Sequence, residues 1–303
     1  MMIVQIYEIQ TPQEAEKCIE LGVDHLGNVI LSREEWRLPL LRETVGLTEG
    51  TLHKSSMIPL FRDLDTVCRV LDYYRPDYIH FCDALTDING KIEGLGGFVE
   101  FQETVKHKFP EIGIIRSIPI PRERDAPNFP SLEIARAFEH TSDLFLTDTW
   151  KEEAPVAGFI GITGETVDRK IAQKLVLQST IPVILAGGLS PENVQDALMA
   201  VRAAGADSCT LTNRVDHRGS PIRFEKDFSK VGDFVKSVRE VEAMLRKEKE
   251  EKSAYLASLK EALSDREKAL PAHSIRPHQL LTIEALEDEI ETLEKELSDY
   301  RMV

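Results

Sequence analysis

The sequence predicts an α/β fold, a (β/α)8 TIM barrel followed by a C-terminal helical hairpin. Strand-like and helix-like segments alternate eight times up to about residue 240, which is typical of a closed parallel sheet surrounded by helices. The length of 303 residues suits one barrel of ~250 residues plus an appendage. A buried-strand pattern at 183–186 runs into Gly187 and Gly188, as in a phosphate-binding loop. We therefore divide the chain into a barrel, residues 1–240, and an extension, residues 241–303.

Apolar runs of strand length mark the first four strands, and capping residues mark two of their helices. Thr11 is followed by a proline at the first helical position, and Gly22 ends that helix. Asp63 caps the third helix, whereas the second helix, near 39–45, is weakly marked. The fourth helix follows a glycine-rich loop and ends near Lys108. The predicted strands span residues 3–7, 25–30, 56–61 and 77–83.

The last four units follow the same pattern. Ser190 is a natural N-cap with a proline after it, which predicts a seventh helix that continues through Val201. Shorter helices are predicted at 132–138 and 168–178, and an eighth helix begins near Phe228. The predicted strands span residues 112–120, 143–148, 183–186 and 205–213.

The composition changes near Val241, where a mixed-charge run without an apolar face predicts a solvated helix. Leucines then recur at a helical spacing between 256 and 270, and a proline-bounded break at 271–277 separates a second helix. That helix carries an apolar seam from Ile283 to Tyr300, less than three heptads long. These features predict an accessory hairpin or short coiled coil that packs on itself, on the barrel or on another subunit, and they favour a homo-oligomer.

Composition and charge exclude several classes of partner. The formal net charge of −15 argues against nucleic acid and against an anionic membrane. No apolar run approaches the ~20 residues of a membrane span, and the N-terminus lacks a signal-peptide pattern. The 4 cysteines are scattered, without a CxxC pair or zinc spacing, which predicts a reduced, cytoplasmic protein without a metal site. We predict no cofactor and expect a small phosphorylated metabolite as the partner.

The segment around Gly187 and Gly188 is the strongest candidate for a binding site. Glycine lets the backbone turn without a Cβ and leaves its N–H groups bare, and a helix N-terminus nearby adds partial positive charge. Strand eight neighbours strand seven in such a barrel and ends in small polar residues. A plain strand-to-helix turn is the alternative. We predict that Gly187, Gly188, Thr210 and Leu211 hold a phosphate group.

Several segments, taken in order, resemble one known family. The stretch IPVILAGGLSPENV at 181–194 is similar, almost residue for residue, to the seventh-strand phosphate loop of phosphoribosylanthranilate isomerase, a barrel enzyme of tryptophan biosynthesis. Weaker matches lie at 144–149 with 161–168, at 11–15 and at 22–27. The resemblance covers residues 1 to about 240. It implies an Amadori rearrangement of an aminoaldose phosphate to an aminoketose.

The resemblance also implies catalytic residues, with one departure from the family pattern. Asp148 matches the family's acid, which opens the sugar ring. Tyr7 stands where the family has a cysteine base, and a phenol is a much weaker base than a thiol. His80 and Cys82 share the strand face toward the barrel interior, so either is a candidate for the base, with Tyr7 as an assisting donor. His80 is preferred because its ordinary pKa leaves it mostly neutral at pH 7. We expect these residues and Arg116 to cluster at the barrel mouth.

The same resemblance assigns three further residues and leaves two functions open. Arg116 replaces a family lysine and would hold a substrate anion, while Arg33 loosely matches a carboxylate-binding arginine, with a surface role as its alternative. Leu211 replaces a glycine of strand eight and would have to accept that backbone shape. The first function is an isomerase-like enzyme with an altered base that acts on a phosphorylated sugar-like substrate. The alternative is a non-catalytic phosphometabolite-binding barrel that acts as a sensor or scaffold through its C-terminal helices.

Overall fold

The computed structural model describes residues 1–123, 128–153, 155–270 and 277–298. This part of the chain forms two compact units. One comprises residues 2–240, and the other comprises Met1 together with the described residues from Val241 onward.

Residues 2–240 form the predicted (β/α)8 barrel. Within its described residues, eight parallel strands pair in sequence order, and β8 pairs with β1 to close the sheet. The strands are β1 (Ile3–Ile6), β2 (His25–Ile30), β3 (Lys54–Pro59), β4 (Tyr78–Phe81), β5 (Gly113–Ile120), β6 (Leu144–Thr149), β7 (Val183–Leu185) and β8 (Gly205–Ser208). The helices between them are α1 (Pro12–Glu20), α2 (Pro39–Gly46), α3 (Leu64–Tyr74), α4 (Leu95–Lys108), α5 (Ser131–Phe138), α6 (Arg169–Gln178) and α7 (Val194–Val201). The predicted fold class is confirmed.

Local capping explains where several helices begin. The Thr11 side chain accepts a hydrogen bond from the Glu14 backbone at 3.3 Å, and the Glu14 carboxylate accepts one from the Thr11 backbone at 3.1 Å. This capping box satisfies two N–H groups that the first turn of α1 leaves unpaired. Asp63 caps α3 by accepting from the Thr66 backbone at 2.9 Å, and Asp168 caps α6 in the same way. The sequence therefore specifies these helix starts directly.

Alternation along the strands separates an inner from an outer core. Ile115 of β5 packs inside the barrel with Leu146 and Ile184 of the next two strands. Its neighbour Ile114 packs outward against Val105 of α4. Because successive side chains of a strand point to opposite faces, a shift of one residue exchanges the barrel interior for the helix layer.

The seventh and eighth units differ from the prediction near the loops predicted to bind phosphate. Helix α7 begins at Val194 rather than just after Ser190, because Ser190 and Asn193 first close a turn. In that turn the Asn193 side chain accepts from the Ser190 backbone at 2.9 Å and donates to the Gly188 carbonyl at 2.8 Å. Strand β8 ends at Ser208, earlier than predicted, and a 3-10 turn follows at Thr210–Thr212.

A β-hairpin that the sequence analysis did not predict follows this turn. Strands β9 (Asn213–Val215) and β10 (Pro221–Lys226) pair antiparallel, with an irregular register between their two ends. The Asp216 carboxylate accepts backbone hydrogen bonds from Arg218 at 2.8 Å and Ser220 at 2.9 Å, which closes the loop between the strands. The hairpin therefore lies in the chain directly before α8 (Phe228–Lys268).

The second unit is a helical hairpin that packs on itself. Helix α8 is continuous over 41 residues, and α9 (Pro277–Ser298) follows the break. The regularly spaced leucines of both helices pack together in one apolar cluster. Two ion pairs flank it, Lys260–Glu294 at 2.6 Å and Lys252–Glu296 at 2.9 Å. The cluster contains Leu256, Leu259, Leu263, Leu286, Ile290, Leu293 and Leu297.

The apolar seam is thus covered within the chain, so the seam itself gives no reason for association with another subunit. Tyr300 and residues 271–276, which the prediction included in the seam and the break, lie outside the described residues.

None of the described helices is long and apolar enough to cross a bilayer.

Candidate active site

A cavity lies at the ends of the barrel strands where the loops to the helices begin. It receives side chains from seven of the eight strand ends, from the loop between β6 and α6, and from β10. This end of a TIM barrel is where active sites are found. Of the residues predicted for the site, those that line the cavity are Tyr7, His80, Cys82, Asp148, Gly187, Gly188, Thr210 and Leu211.

Tyr7, which we predicted to stand in the position of the family's base, is held in a chain of hydrogen bonds inside the barrel. Its hydroxyl contacts the Ser56 hydroxyl and lies 2.6 Å from His80 Nδ1. His80 Nε2 lies 2.8 Å from the Ser117 hydroxyl, so the chain joins β3, β1, β4 and β5. The Tyr7 ring lies over Gly27 of β2, where an added Cβ would come within 2.3 Å of the ring. The glycine is needed because the ring occupies that space.

Burial makes the two predicted bases weaker than their residue types suggest. It lowers the pKa of His80 to about 3, with a contribution from the positive charge of Arg116, so the imidazole is neutral at pH 7 but a poor proton acceptor. Both of its ring nitrogens are also engaged in hydrogen bonds. Burial raises the pKa of the Cys82 thiol well above its ordinary value, and the nearby Asp83 raises it further. The electrostatics of the cavity therefore disfavour both residues as the base.

Asp148, the predicted acid, lies in the cavity at the end of β6. The carboxylate accepts a hydrogen bond from the Thr149 backbone at 2.8 Å. Gly161 packs against its other oxygen, so closely that a Cβ there would come within 2.3 Å of Asp148 Oδ2. This enclosure raises the pKa of Asp148 to about 7, because burial disfavours the charged form. A carboxyl group with such a pKa can donate a proton near neutrality.

Asp207 of β8 is a second carboxyl group in the cavity, and the sequence analysis missed it. Burial raises its pKa to about 8, and the charge of Asp148 adds to the shift. Gln5 donates to Asp207 Oδ1 at 3.2 Å, and Gln5 Oε1 lies 3.2 Å from His25 Nδ1. The sequence does offer one signal, an aspartate inside a strand whose neighbouring residues are small. Such a charge is seldom buried without a role.

Asp148 and Asp207 both line the cavity, and each has a pKa above the ordinary value for aspartate. Burial is the main cause at both residues, and the negative charge of Asp148 adds to the shift of Asp207. Carboxyl groups with such pKa values are suited to proton transfer near neutrality.

The predicted phosphate loop has the backbone shape that its glycines suggest. Gly187 and Gly188 both have positive φ, at 95° and 57°. In the described part of the chain, no hydrogen bond engages the amide nitrogen of either residue. A Cβ on Gly188 would lie 2.5 Å from the Glu165 carbonyl carbon, so glycine is required for packing as well as for the turn. The bare amides stay a prediction for the phosphate site.

A charge placed beside Thr210 tests that prediction. Gly164 lines the cavity with φ 66°, and a Cβ there would lie 3.8 Å from the Thr210 methyl group, an ordinary contact. Inorganic phosphate at ten times its Kd should raise the Tm of the parent by ~2–4 °C through mass action. We expect Gly164→Asp to abolish this shift by repulsion and Gly164→Asn to retain it. Equal shifts in both variants, measured by scanning calorimetry, would contradict the assignment.

The prediction that Arg116 lies at the barrel mouth is wrong. The residue is fully buried in the outer core, with its guanidinium 4.3 Å from the Phe138 ring centroid. It donates to Asp83 at 2.8 Å and to Gln102 at 2.9 Å, and its Nη2 has no partner among the described residues. The inward-facing residue of β5 at this level is Ser117. Arg116 is therefore a structural cation and cannot reach a substrate in the cavity.

Arg33 does not line the cavity either. Its side chain is exposed and lies 3.6 Å from the Asp63 carboxylate, so the surface role considered for it fits its position.

Asp83 neutralises the buried Arg116, and removing its charge should destabilise the barrel. Its carboxylate also pairs with Arg62 at 2.9 Å. Asp83→Asn leaves the guanidinium of Arg116 without its charged partner, which should cost about 3 kcal/mol in free energy of unfolding. Urea denaturation measures this loss, and Glu93→Gln, an exposed change in the same loop, serves as the control. A loss no larger than that of the control would mean that the pair is unimportant for stability.

Arg223 of β10 is a further cavity residue that the sequence analysis missed. Its Nε donates to Glu8 at 2.7 Å, and Glu8 is almost fully buried just after β1. Burial alone would raise the pKa of Glu8. The hydrogen bond from Arg223 and the charge of Arg223 lower that pKa, so Glu8 stays ionised. Among the described lysine and arginine side chains, Arg223 is the one that lines the cavity. The described residues contain no group of acidic, histidine or cysteine side chains suited to a metal ion.

Comparison with known proteins finds similarity to one family. A family model described as N-(5'phosphoribosyl)anthranilate (PRA) isomerase matches residues 99–211. N-(5'-phosphoribosyl)anthranilate isomerase of Methanothrix thermoacetophila is 28% identical over 242 residues, which cover 79% of this chain and 99% of the relative. The enzyme of Methanosarcina acetivorans is 30% identical over 132 residues, an alignment that spans about half of that relative, 52%, and 43% of this chain.

Solved structures agree with this similarity at the level of the fold. The phosphoribosyl anthranilate isomerase of Thermotoga maritima has a TM-score of 0.57 at 19% identity and covers 79% of this chain and 99% of its own. That of Pyrococcus furiosus has a TM-score of 0.56 at 19% identity, covering 79% and 100%. In matched sequence and in fold, this chain is therefore similar to the N-(5'-phosphoribosyl)anthranilate isomerase family.

Proposed function

We propose that this protein catalyses an aldose–ketose isomerisation of the Amadori type on N-(5'-phosphoribosyl)anthranilate, the substrate for which its relatives are named. The observation that carries the proposal is the pair Asp148 and Asp207, two carboxyl groups with raised pKa values in one cavity beside the glycine loop. The relatives support the substrate class, a phosphorylated ribosyl amine.

The reaction needs one proton donated and one removed. The acid protonates the ring oxygen as the C1–O bond breaks, which opens the furanose and leaves an iminium group at C1. The base then takes the proton from C2 to give an enolamine. Protonation at C1 with loss of the proton from the C2 hydroxyl then completes the ketone at C2 and the amine at C1. We assign Asp148, the acid predicted from the sequence, as the proton donor, and ionised Asp207 as the base that takes the place of the family's cysteine. Because Asp207 has the higher pKa of the two, the reactive form is the minor one in which Asp148 carries the proton.

The remaining cavity residues position this pair. Gln5 holds Asp207 Oδ1 at 3.2 Å, and the uncharged Tyr7 and His80 fill the floor of the cavity beside it. The phosphate lies on the amides of Gly187 and Gly188 and near Thr210, at the end of the cavity formed by β7 and β8.

A binding protein without catalysis is the second candidate, because Tyr7 stands in place of the thiol and His80 is a weak base. Association of copies through the C-terminal hairpin and a cytoplasmic location also stay predictions.

Turnover decides between the two candidates. The purified full chain is incubated with N-(5'-phosphoribosyl)anthranilate, and substrate and product are separated by chromatography. We expect product from the parent, and rescue of tryptophan growth in an isomerase-deficient host. A phosphate-dependent rise in Tm without turnover would favour the binding protein. If neither turnover nor a phosphate effect is found, both candidates are wrong.

A further inference from the structure

The rim of the cavity next to β1 and β8 carries an arrangement that the reaction described above does not use. Glu8 follows β1 with φ 65°, and Phe224 of β10 has φ 63°. Residues other than glycine seldom adopt this left-handed conformation, and a bulky residue there is strained. The Phe224 backbone nitrogen donates to Glu8 Oε2 at 3.2 Å, so the two strained residues contact each other directly.

Glu8 holds Arg223 in one orientation. Its Oε1 accepts from Arg223 Nε at 2.7 Å, while Asn213 and the Phe224 backbone satisfy Oε2. Lys226 in turn fixes Asn213 with a hydrogen bond of 2.5 Å. The strained backbone and the buried Glu8 carboxylate thus maintain the contact between Glu8 and Arg223. This contact fixes the guanidinium group of Arg223 through its Nε.

The other edge of that guanidinium is available to a ligand. The terminal nitrogens of Arg223 have no acceptor among the described residues, and the side chain is partly exposed in the cavity lining. A guanidinium presents two parallel N–H groups that match a carboxylate. We assign the phosphate to the amides of the glycine loop, which leaves the Arg223 guanidinium for a second anionic group of the substrate.

We propose that Arg223 binds the carboxylate of the substrate, the anionic group at the end opposite its phosphate, and that Glu8 is the positioning residue that orients Arg223. This proposal rests on the proposed function, because it assumes a substrate with both a phosphate and a carboxylate. Arg223 then sets the specificity of the cavity for an aromatic acid over the corresponding aryl amine without a carboxylate.

Binding is the direct test, since it needs no turnover. The reduced form of 1-(o-carboxyphenylamino)-1-deoxyribulose 5-phosphate, a product analogue, is titrated into the full chain by calorimetry, alongside the same compound without its carboxylate. Loss of a charged hydrogen-bond pair should weaken binding of the carboxylated analogue ~10–100-fold in Arg223→Gln. The decarboxylated analogue should bind the parent and the variant equally.

Two further variants keep the test interpretable. Arg218→Gln removes the same charge from the exposed loop of the same hairpin and should leave binding unchanged. Arg223→Lys keeps a cation beside the buried Glu8, so it should fold even if Arg223→Gln does not, and it should weaken binding of the carboxylated analogue alone.

The outcomes separate the ligand groups. If Arg223→Gln abolishes the rise in Tm caused by inorganic phosphate, Arg223 binds the phosphate and the proposal is wrong. If both analogues lose affinity equally in Arg223→Gln and Arg223→Lys, the role of Arg223 is structural. Selective loss for the carboxylated analogue supports the proposal even if the parent shows no turnover, a result that would contradict only the proposed catalysis.

Discussion

Asp148→Asn and Asp207→Asn are each expected to lower kcat for N-(5'-phosphoribosyl)anthranilate by ~10²–10⁴-fold, the usual contribution of a positioned proton transfer. The amide cannot exchange the proton that each carboxyl group supplies or accepts. The two carboxyl groups share the cavity and influence each other's pKa, so we expect the losses to be less than additive in the double variant. Steady-state kinetics over pH 5–9 measures both effects.

His80→Gln is the matched comparison for the base. Glutamine can keep one of the two hydrogen bonds that His80 makes to Tyr7 and Ser117. If Asp207 is the base, this variant should change kcat less than ~10-fold. A loss of 10²-fold or more in His80→Gln, together with a nearly unchanged Asp207→Asn, would contradict our assignment and restore the base predicted from the sequence. The phosphate-induced rise in Tm should be the same in all three variants.

The double variant Asp148→Asn/Asp207→Asn is expected to gain stability relative to the parent as the pH rises. Folding raises the pKa of Asp148 to about 7 and that of Asp207 to about 8, above the ordinary value near 3.8. The stability that these groups contribute is therefore fully present below pH ~4 and is lost as the pH rises through the folded values. For Asp207 alone the loss at pH 9 amounts to as much as ~5 kcal/mol.

Chemical denaturation at pH 4, 6, 8 and 9 measures this difference. The free energy of unfolding of the double variant minus that of the parent should increase from pH 4 to pH 8 and then level off. Asp233→Asn, a change at an exposed position of α8, is the control and should show a constant difference. A difference for the double variant that does not change with pH would mean that the two carboxyl groups ionise normally in the folded chain.

Local chemistry explains which parts of this fold the sequence predicts. Thr11, Asp63 and Asp168 cap helices through hydrogen bonds to residues two or three positions away, so a single sequence contains the whole interaction. The glycine pair after β7 is equally local, because its positive φ values follow from residue type. Strand order follows from the alternation of elements.

The errors arise where a side chain depends on distant partners. Arg116 is predicted at the mouth because it takes the place of a family lysine, but Ser117 is the residue of β5 that points inward. The low pKa of His80 and the raised pKa of Asp207 result from burial that no local pattern reports. Arg223 gives no signal in the sequence because its hairpin is short and polar and its partner Glu8 lies 215 positions away in the chain.

The polar groups inside the barrel have a consequence for folding accuracy. One chain of hydrogen bonds runs from Ser56 through Tyr7 and His80 to Ser117, and another joins His25, Gln5 and Asp207. A strand that slipped by two residues would keep its apolar face inward, so hydrophobic burial alone discriminates weakly against that error. Such a slip would, however, separate these partners and leave buried donors and acceptors unpaired, at ~1–3 kcal/mol each. The polar interior therefore favours the native register of six strands over registers that are shifted by two residues.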